Sequence, residues 1–215
     1  MKIEIWSDIV CPFCYIGKRK FEKALQNFAS EKELDIIYRS FQLMPDIQTD
    51  PSLSIDDFLA REKGMSLEQA RELNRQVSQQ AATLGLDYQL DKAIVANTFQ
   101  AHRLLQYALS QNLQQQAKER LLQAYFTEGK NIDDRDTLFQ LSEEIGLKET
   151  EKVLASDQFT AEVKMDLLEA RQLGIKGVPF FVFDRKYAIS GAQEPSVFQD
   201  TISQAFEEWK SEAFQ

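Results

Sequence analysis

The residues best suited to chemistry are two cysteines near the start of the chain. Cys11 and Cys14 form a C-x-x-C pair, and they are the only cysteines among 215 residues that also hold a single histidine, His102. A structural zinc site takes four Cys or His ligands, so these three side chains cannot build one unaided. A disulfide scaffold is equally implausible, because one pair separated by two residues cannot cross-link a chain of this length. The cysteine count therefore favours a redox-active pair and no metal site.

Cys11 is the expected nucleophile of the pair. A thiol attacks as its thiolate, and the start of a helix favours that anion because backbone N–H groups and the positive end of the helix dipole face it. Pro12 is typical of the first helical turn, so a helix is predicted to begin directly after Cys11. Thiols in such settings have pKa values of roughly 3.5–7.5. We therefore expect Cys11 to be exposed and acidic, with Cys14 as the covered, resolving thiol.

The segments around the cysteines predict a strand, a helix and a second strand. Residues 2–6 alternate in polarity and precede Ser7-Asp8, which predicts a short strand. A helix is expected over 12–30. A second strand is expected over 34–43, where apolar residues occupy both faces, as in a strand that is covered on both sides. Together these elements predict a βαβ unit with the cysteines at a strand-to-helix junction.

The middle of the chain has a helical pattern and shows no convincing strand. Ser54 and Ser66 begin motifs that resemble capping boxes, and glycines stand where several helices should end. The predicted helices cover 55–63, 67–84, 92–111, 113–128, 134–145 and 149–172, the last with a break near Ser156-Asp157.

Strand character returns near the end of the chain. Strands are predicted over 179–183 and 186–190, followed by a helix that begins at Glu194-Pro195. The sequence therefore predicts an α/β domain formed by 1–50 and 174–215, interrupted by an all-helical insertion domain over 51–173.

Charge and hydropathy exclude several classes of protein. The formal net charge is −9, which argues against a nucleic-acid partner because binding phosphates requires a basic surface. No apolar run approaches the ~18 residues of a membrane span. Acidic residues at positions 4 and 8 interrupt any signal-peptide core. These features predict a cytoplasmic location with no membrane partner.

Four segments spread over the chain carry a resemblance to a known family. They are WSDIVCPFCYIG (6–17), NTFQAHR (97–103), GIKGVPFF (174–181) and SGAQ (190–193). On these motifs the chain resembles the DsbA family, and within it the FrnE-like dithiol–disulfide oxidoreductases. That branch is similar in turn to the 2-hydroxychromene-2-carboxylate isomerases and the kappa-class glutathione transferases.

The resemblance implies a thioredoxin-like fold, with a central mixed sheet flanked by helices and a helical insertion. It implies that the Val178–Pro179 bond is cis, that Pro179 belongs to the catalytic site beside the cysteines, and that the Val178 backbone binds a substrate strand. Pro12 and Phe13 are expected to contact substrate as well. Phe13 departs from the Trp or His of related motifs, and a neutral side chain there offers the thiolate no positive charge.

Two further residues allow alternative interpretations. His102 shares a helical stripe with apolar residues, so it is either a core histidine or a substrate-binding residue in the cleft between the domains. Asp8 either caps the turn after the first strand or disfavours the Cys11 thiolate through its charge.

The expected function is thiol–disulfide exchange, with Cys11 attacking and Cys14 resolving. Its substrate would be a disulfide-containing protein or a small thiol compound. No cofactor is expected, and glutathione or a thioredoxin-type reductant is a candidate redox partner. The alternatives are a glutathione-dependent isomerase or transferase, a Cys–His hydrolase that pairs Cys11 with His102, and a chaperone-like module that binds clients through the helical insertion.

Overall fold

The computed structural model describes residues 1–26 and 28–213. The chain divides into two compact units, Met1–Leu43 with Asp166–Gln215 and Met44–Met165, here called the sheet unit and the helical unit. Both divisions lie a few residues before the boundaries at 50 and 174 that the sequence suggested. The second division, between Met165 and Asp166, lies inside the helix Thr160–Gln172, so no change in composition marks that position.

The sheet unit is built on four strands in the order β2-β1-β3-β4. They are β1 (Lys2–Ser7), β2 (Asp35–Ser40), β3 (Phe180–Phe183) and β4 (Tyr187–Ser190). β1 runs parallel to β2, with Ile3 opposite Ile36, and antiparallel to β3, with Ile3 opposite Phe183. β3 and β4 form an antiparallel pair. The sheet is therefore mixed, as the resemblance implied.

Helices cover both faces of the sheet. On one face, α1 (Pro12–Leu25) and the last helix, α9 (Pro195–Ala213), pack around Phe21, whose ring centroid lies 5.4 Å from that of Phe181 and 5.6 Å from that of Phe198. On the other face, Trp6 and Val182 pack with Ala170 of α8 (Thr160–Gln172). Alternating side chains of β1 enter the two cores, which explains why the strand is almost fully buried.

Helix α1 is shorter than the prediction of 12–30, although the prediction of its start is confirmed. It ends at Leu25, and a short 3-10 helix follows at Glu31–Glu33. The Phe28 ring turns back to meet Phe206 at 5.1 Å, edge to face. This tertiary contact holds residue 28 outside the helical path; Asn27 lies outside the described residues.

The helical unit consists of short helices. It contains α2 (Ile55–Lys63), α3 (Leu67–Ala82), α4 (Phe99–Ser110), α5 (Gln114–Phe126), α6 (Arg135–Glu144) and α7 (Thr150–Leu154). Ser66 and Gln69 form both bonds of a capping box at the start of α3. Among the described residues, no helix has the length and apolar character needed to span a membrane.

Two details of the helical unit depend on polar side chains. Helix α4 begins at Phe99 rather than at 92, because the Asn97 side chain accepts a bond from the Phe99 N–H at 2.9 Å and donates to Ile47 O at 2.9 Å. The break predicted near Ser156 is confirmed. There the Arg103 guanidinium donates to the carbonyls of Val153 and Gln158, which satisfies groups that a continuous helix would bond internally.

Candidate active site

The cysteine pair lies at the junction of β1 and α1. Cys11 is the N-cap of α1 with extended backbone angles (φ −87°, ψ 111°), and Pro12 occupies the first helical position. The Cys14 N–H donates to the Cys11 carbonyl at 3.0 Å, which closes the first turn. No disulfide joins the two cysteines in this structure, and both are buried. The predicted placement of the pair at the start of a helix is confirmed.

The segment before β3 lies directly beside Cys11. The Val178–Pro179 bond is cis, which confirms what the resemblance implied. The Cys11 thiol donates to the Val178 carbonyl over an Sγ to O distance of 3.5 Å. The fold thus joins residues 167 positions apart in sequence into one site that contains Cys11, Cys14, Val178 and Pro179.

Gly17 is a site residue that the analysis of individual residue types did not single out. A Cβ atom at this position would lie 2.8 Å from Cγ of Pro179 and 3.4 Å from Cβ of Ala192. Only a glycine therefore allows α1 to approach the Pro179 segment this closely. The signal was present in the sequence, because a glycine inside a helix costs about 1 kcal/mol relative to alanine and calls for a packing reason.

The expectation that Cys11 is exposed is wrong. Cys11 is 3% exposed and Cys14 is 2% exposed, so burial does not distinguish the two thiols. Phe13, between them, is 43% exposed. The turn thus presents an aromatic side chain to solvent and keeps both sulfur atoms covered.

The expectation that Cys11 is acidic is also wrong. The pKa of the Cys11 thiol is raised well above its usual range, first by hydrogen bonding with the Cys14 side chain, then by burial and by the charge on Cys14. The Cys14 backbone N–H acts in the opposite direction, as the helix-terminus argument predicted. The effect of this one N–H group on the pKa is outweighed by the Cys14 side chain and by burial.

Asp8 combines the two roles that the sequence left open. Its carboxylate is 1% exposed and accepts hydrogen bonds from the backbone N–H groups of Ile9 and Leu43, each at 2.8 Å. It therefore ties the loop after β1 to the segment after β2. Its negative charge also contributes to the raised pKa of Cys11.

His102 lies in the other compact unit. It is on α4, is 1% exposed, and its backbone N–H donates to Thr98 O at 2.9 Å. Its assignment as a substrate-binding residue remains a prediction. Within residues 1–26 and 28–213, no group of three or more His, Cys, Asp or Glu side chains is arranged to hold a metal ion.

Comparisons with known proteins agree with this arrangement. A model of the DSBA-like thioredoxin domain family matches residues 2–203. The crystal structure of the probable DsbA oxidoreductase SCO1869 from Streptomyces coelicolor is 37% identical and superimposes with a TM-score of 0.90, covering 97% of this chain and 91% of that chain. The uncharacterized protein YwbO of Bacillus subtilis (strain 168) is 28% identical over 94% of this chain and 95% of its own length.

Two more distant structures share the fold. A 2-hydroxychromene-2-carboxylate isomerase is 16% identical with a TM-score of 0.70, covering 98% of both chains. The cytosolic disulfide reductase DsbM from Pseudomonas aeruginosa, in a structure with GSH, is 16% identical with a TM-score of 0.67, covering 96% of this chain and all of that one (100%). The family match over most of the chain, the Streptomyces structure and the sheet-and-helix architecture together show that this protein belongs to the DSBA-like thioredoxin domain family and is an enzyme of the oxidoreductase type.

Proposed function

We propose that the protein is a FrnE-like dithiol–disulfide oxidoreductase that works through its CPFC motif, with Cys11 as the nucleophile and Cys14 as the resolving thiol. The observation that carries the proposal is the position of Cys11, at the N-cap of α1 with Sγ 3.5 Å from the Val178 carbonyl, one residue before Pro179. A nucleophilic sulfur at a helix start, with the backbone that leads into β3 beside it, suits exchange with a polypeptide disulfide.

The proposed reaction moves two electrons and two protons from the dithiol to the substrate. The Cys11 thiolate attacks one sulfur of the substrate disulfide, the S–S bond breaks, and the departing substrate sulfur takes up a proton. Cys14 then loses its proton and attacks Cys11 Sγ in the mixed disulfide, which releases the second substrate thiol. The products are an oxidised Cys11–Cys14 pair and a reduced substrate, and the reverse sequence oxidises.

The electrostatics of Cys11 support the reducing direction. Strong oxidants of this chemistry gain their driving force from a stabilised reduced form with an acidic thiol. Here the neighbours of Cys11 raise its pKa instead, so the thiolate is not stabilised in this way. The absence of a stabilised thiolate favours transfer of electrons from the enzyme to a disulfide.

A cytoplasmic reductant needs a substrate surface and a source of electrons. The exposed ring of Phe13, with Pro12 and the Val178 backbone, is the proposed contact for a disulfide-containing polypeptide. Glutathione or a thioredoxin-type reductant is the proposed recycling partner. The likeness to a cytosolic reductase studied with GSH is a reason to test glutathione first.

The two single cysteine variants test the proposal. Cys11→Ser is expected to abolish reduction of a model peptide disulfide, because the attacking sulfur is lost. Cys14→Ser is expected to accumulate a covalent Cys11–substrate complex, because no second thiol can release it. Mass analysis and non-reducing gels after mixing with substrate distinguish these outcomes, and each variant serves as the control for the other.

A glutathione-dependent isomerase is the second candidate, because the isomerase fold matches over 98% of both chains. Such an enzyme would require glutathione and would not need Cys14. Normal turnover by Cys14→Ser with no trapped complex, together with an absolute requirement for glutathione, would replace the dithiol mechanism with this one.

A further inference from the structure

A buried lysine links α1, the helix that carries the cysteines, to the loop after β4. We infer that Lys20 is a positioning residue for disulfide exchange: its ammonium group fixes residues 191–194, and through them holds Pro179 and the residue before it beside Cys11. This inference rests on the proposed dithiol function, and it adds to that function a residue that acts through the Pro179 segment.

The ammonium group of Lys20 has two partners in the loop after β4. Lys20 lies on α1 and is 7% exposed. Its Nζ donates to the Ala192 carbonyl at 3.3 Å and to Glu194 Oε1 at 2.5 Å. A lysine is rarely covered this completely unless its charge is paired, because removing an ammonium from water costs free energy. The two bonds therefore fix the loop to one point on α1.

The loop that Lys20 holds is also bonded to Pro179. The Gly191 N–H donates to the Pro179 carbonyl at 2.8 Å. A Cβ atom on Gly17, about one helical turn before Lys20, would lie 2.8 Å from Cγ of Pro179 and 3.4 Å from Cβ of Ala192. Pro179 and the loop thus pack against the same turn of α1. A movement of the loop away from α1 would move Pro179 with it.

The Pro179 segment in turn covers the nucleophile. The Val178 carbonyl lies 3.5 Å from Cys11 Sγ, and Cys11 is 3% exposed. Burial is one of the causes that raise the pKa of this thiol. Loss of the Lys20 bonds should therefore uncover the sulfur and lower its pKa. A lysine that acted directly through its charge would have the opposite effect, because removing a positive charge disfavours the thiolate.

Lys20→Met tests this role, because it removes the ammonium group and keeps an unbranched side chain. We expect alkylation of Cys11 by iodoacetamide at pH 7 to become about threefold or more faster, with the midpoint of its pH profile at lower pH. Mass analysis of peptides identifies the alkylated cysteine. The kcat/KM for a model peptide disulfide should fall about fivefold or more, because the backbone beside the sulfur is misplaced.

Two control variants separate positioning from a general loss of stability. Glu4→Gln weakens the bond from Arg39 Nε, 2.9 Å long, between β1 and β2, and it should leave the midpoint of the Cys11 pH profile unchanged. Lys23→Met removes an exposed lysine of the same helix and should match the wild type in alkylation and turnover.

Glu194→Gln tests the path through the loop. It keeps the bond from Lys20 to the Ala192 carbonyl, and Glu194 is exposed, so both effects should be smaller than in Lys20→Met. Wild-type turnover or unchanged or slower alkylation in Lys20→Met would overturn the inference. A larger effect in Glu194→Gln, or the same shift of the pH midpoint in Glu4→Gln, would also overturn it. Trapping of substrate by Cys14→Ser is independent of these measurements, so a failure here leaves the proposed function standing.

Discussion

Two buried groups of the sheet unit, Glu4 on β1 and Cys11 at the end of the following loop, show pKa shifts of opposite direction. Glu4 is 1% exposed and Cys11 is 3% exposed. Burial acts to raise the pKa of both, because it disfavours the charged form. For Glu4 the effect of burial is outweighed by hydrogen bonds from Arg39 and Arg185 and by the charge of Arg39, so the pKa is lowered. For Cys11 the side chain of Cys14 and burial act together, so the pKa is raised.

The surroundings of Glu4 explain the difference. Arg39 donates to Glu4 Oε1 through Nε at 2.9 Å and through Nη2 at 2.5 Å, and Arg185 Nη2 donates to the same oxygen at 2.6 Å. Arg39 also donates to Asp166 at 3.2 Å, and Arg185 also donates to Glu169 at 2.6 Å. The network joins β1 and β2 to α8 and to the turn between β3 and β4. Both side chains are almost fully covered from solvent, and the hydrogen-bonding partners and charges around them decide the direction of the shift.

The largest expected effect comes from removing the charge of Glu4. Glu4→Gln gives the half-buried Arg39 and the exposed Arg185 a weaker, uncharged partner at a buried position, and we expect a loss of about 2–3 kcal/mol in the free energy of unfolding at pH 7. The lowered pKa of Glu4 means that its contribution is present above the unfolded pKa, about 4.3, and is lost as the pH falls below it. Urea denaturation at pH 7 and at acidic pH measures the stability loss and its pH dependence. On acidification, Glu4→Gln should lose less stability than the wild type.

Lys2→Gln is the matched control for this change. Lys2 is 42% exposed and its Nζ lies 3.7 Å from the Glu4 carboxylate. A solvated pair of this kind contributes less than about 1 kcal/mol. If Glu4→Gln were no more destabilising than Lys2→Gln, the network would not explain the lowered pKa.

The next effect concerns the packing that covers Cys11. Gly17→Ala places a Cβ 2.8 Å from Cγ of Pro179, so α1 or the Pro179 segment must move. We expect a loss of about 1–3 kcal/mol in stability and slower disulfide reduction, because Val178 moves with Pro179 away from Cys11. Thermal denaturation and turnover of a model disulfide measure the two effects.

Gly177→Ala is the control substitution, because apart from the adjoining residues of the chain no atom lies within 4 Å of the added Cβ. It should leave stability within about 0.5 kcal/mol of the wild type. Wild-type turnover by Gly17→Ala would show that the close approach of α1 is not needed for the site.

Removing the negative charge of Asp8 tests whether neighbouring charges affect the pKa of Cys11 as they affect that of Glu4. Asp8→Asn removes a negative charge that disfavours the thiolate, so the pKa of Cys11 should fall. We expect alkylation of Cys11 by iodoacetamide at pH 7 to become about two- to threefold faster, because the charge of Asp8 raises this pKa less than the Cys14 side chain and burial do. Asp35→Asn, at an exposed position of β2, should leave the rate unchanged. A slower reaction in Asp8→Asn would mean that its backbone bonds matter more to Cys11 than its charge.

The smallest effect is an alkaline loss of stability that depends on the redox state. A thiol whose pKa is raised by folding contributes stability that is present below its unfolded pKa, about 8.5, and is lost as the pH rises through the folded value. The reduced protein should therefore lose about 1 kcal/mol or more between pH 8 and 10. The oxidised protein, which has no thiol to titrate, should show no such loss. Parallel slopes for the two forms would contradict a raised pKa.

Much of the local structure could be predicted from the sequence. Helix α2 was predicted at its observed bounds, and the capping box at Ser66 and the break near Ser156 are confirmed. The position of Cys11 at a helix start is also confirmed. These features depend on interactions within a few residues, such as periodic apolar faces, caps and the fixed backbone of proline, and a sequence shows such interactions directly.

The properties of the site depend on residues that are distant in sequence. Val178 lies 167 residues from Cys11, and Asp166 lies 127 residues from the Arg39 that it binds. The sequence placed Cys11 at the favourable end of a helix, but only the tertiary structure decided that the thiol is covered and that its pKa is raised. Local chemistry sets where a group lies along the chain, whereas its charge state depends on burial and neighbouring charges, which exist only after distant segments pack together.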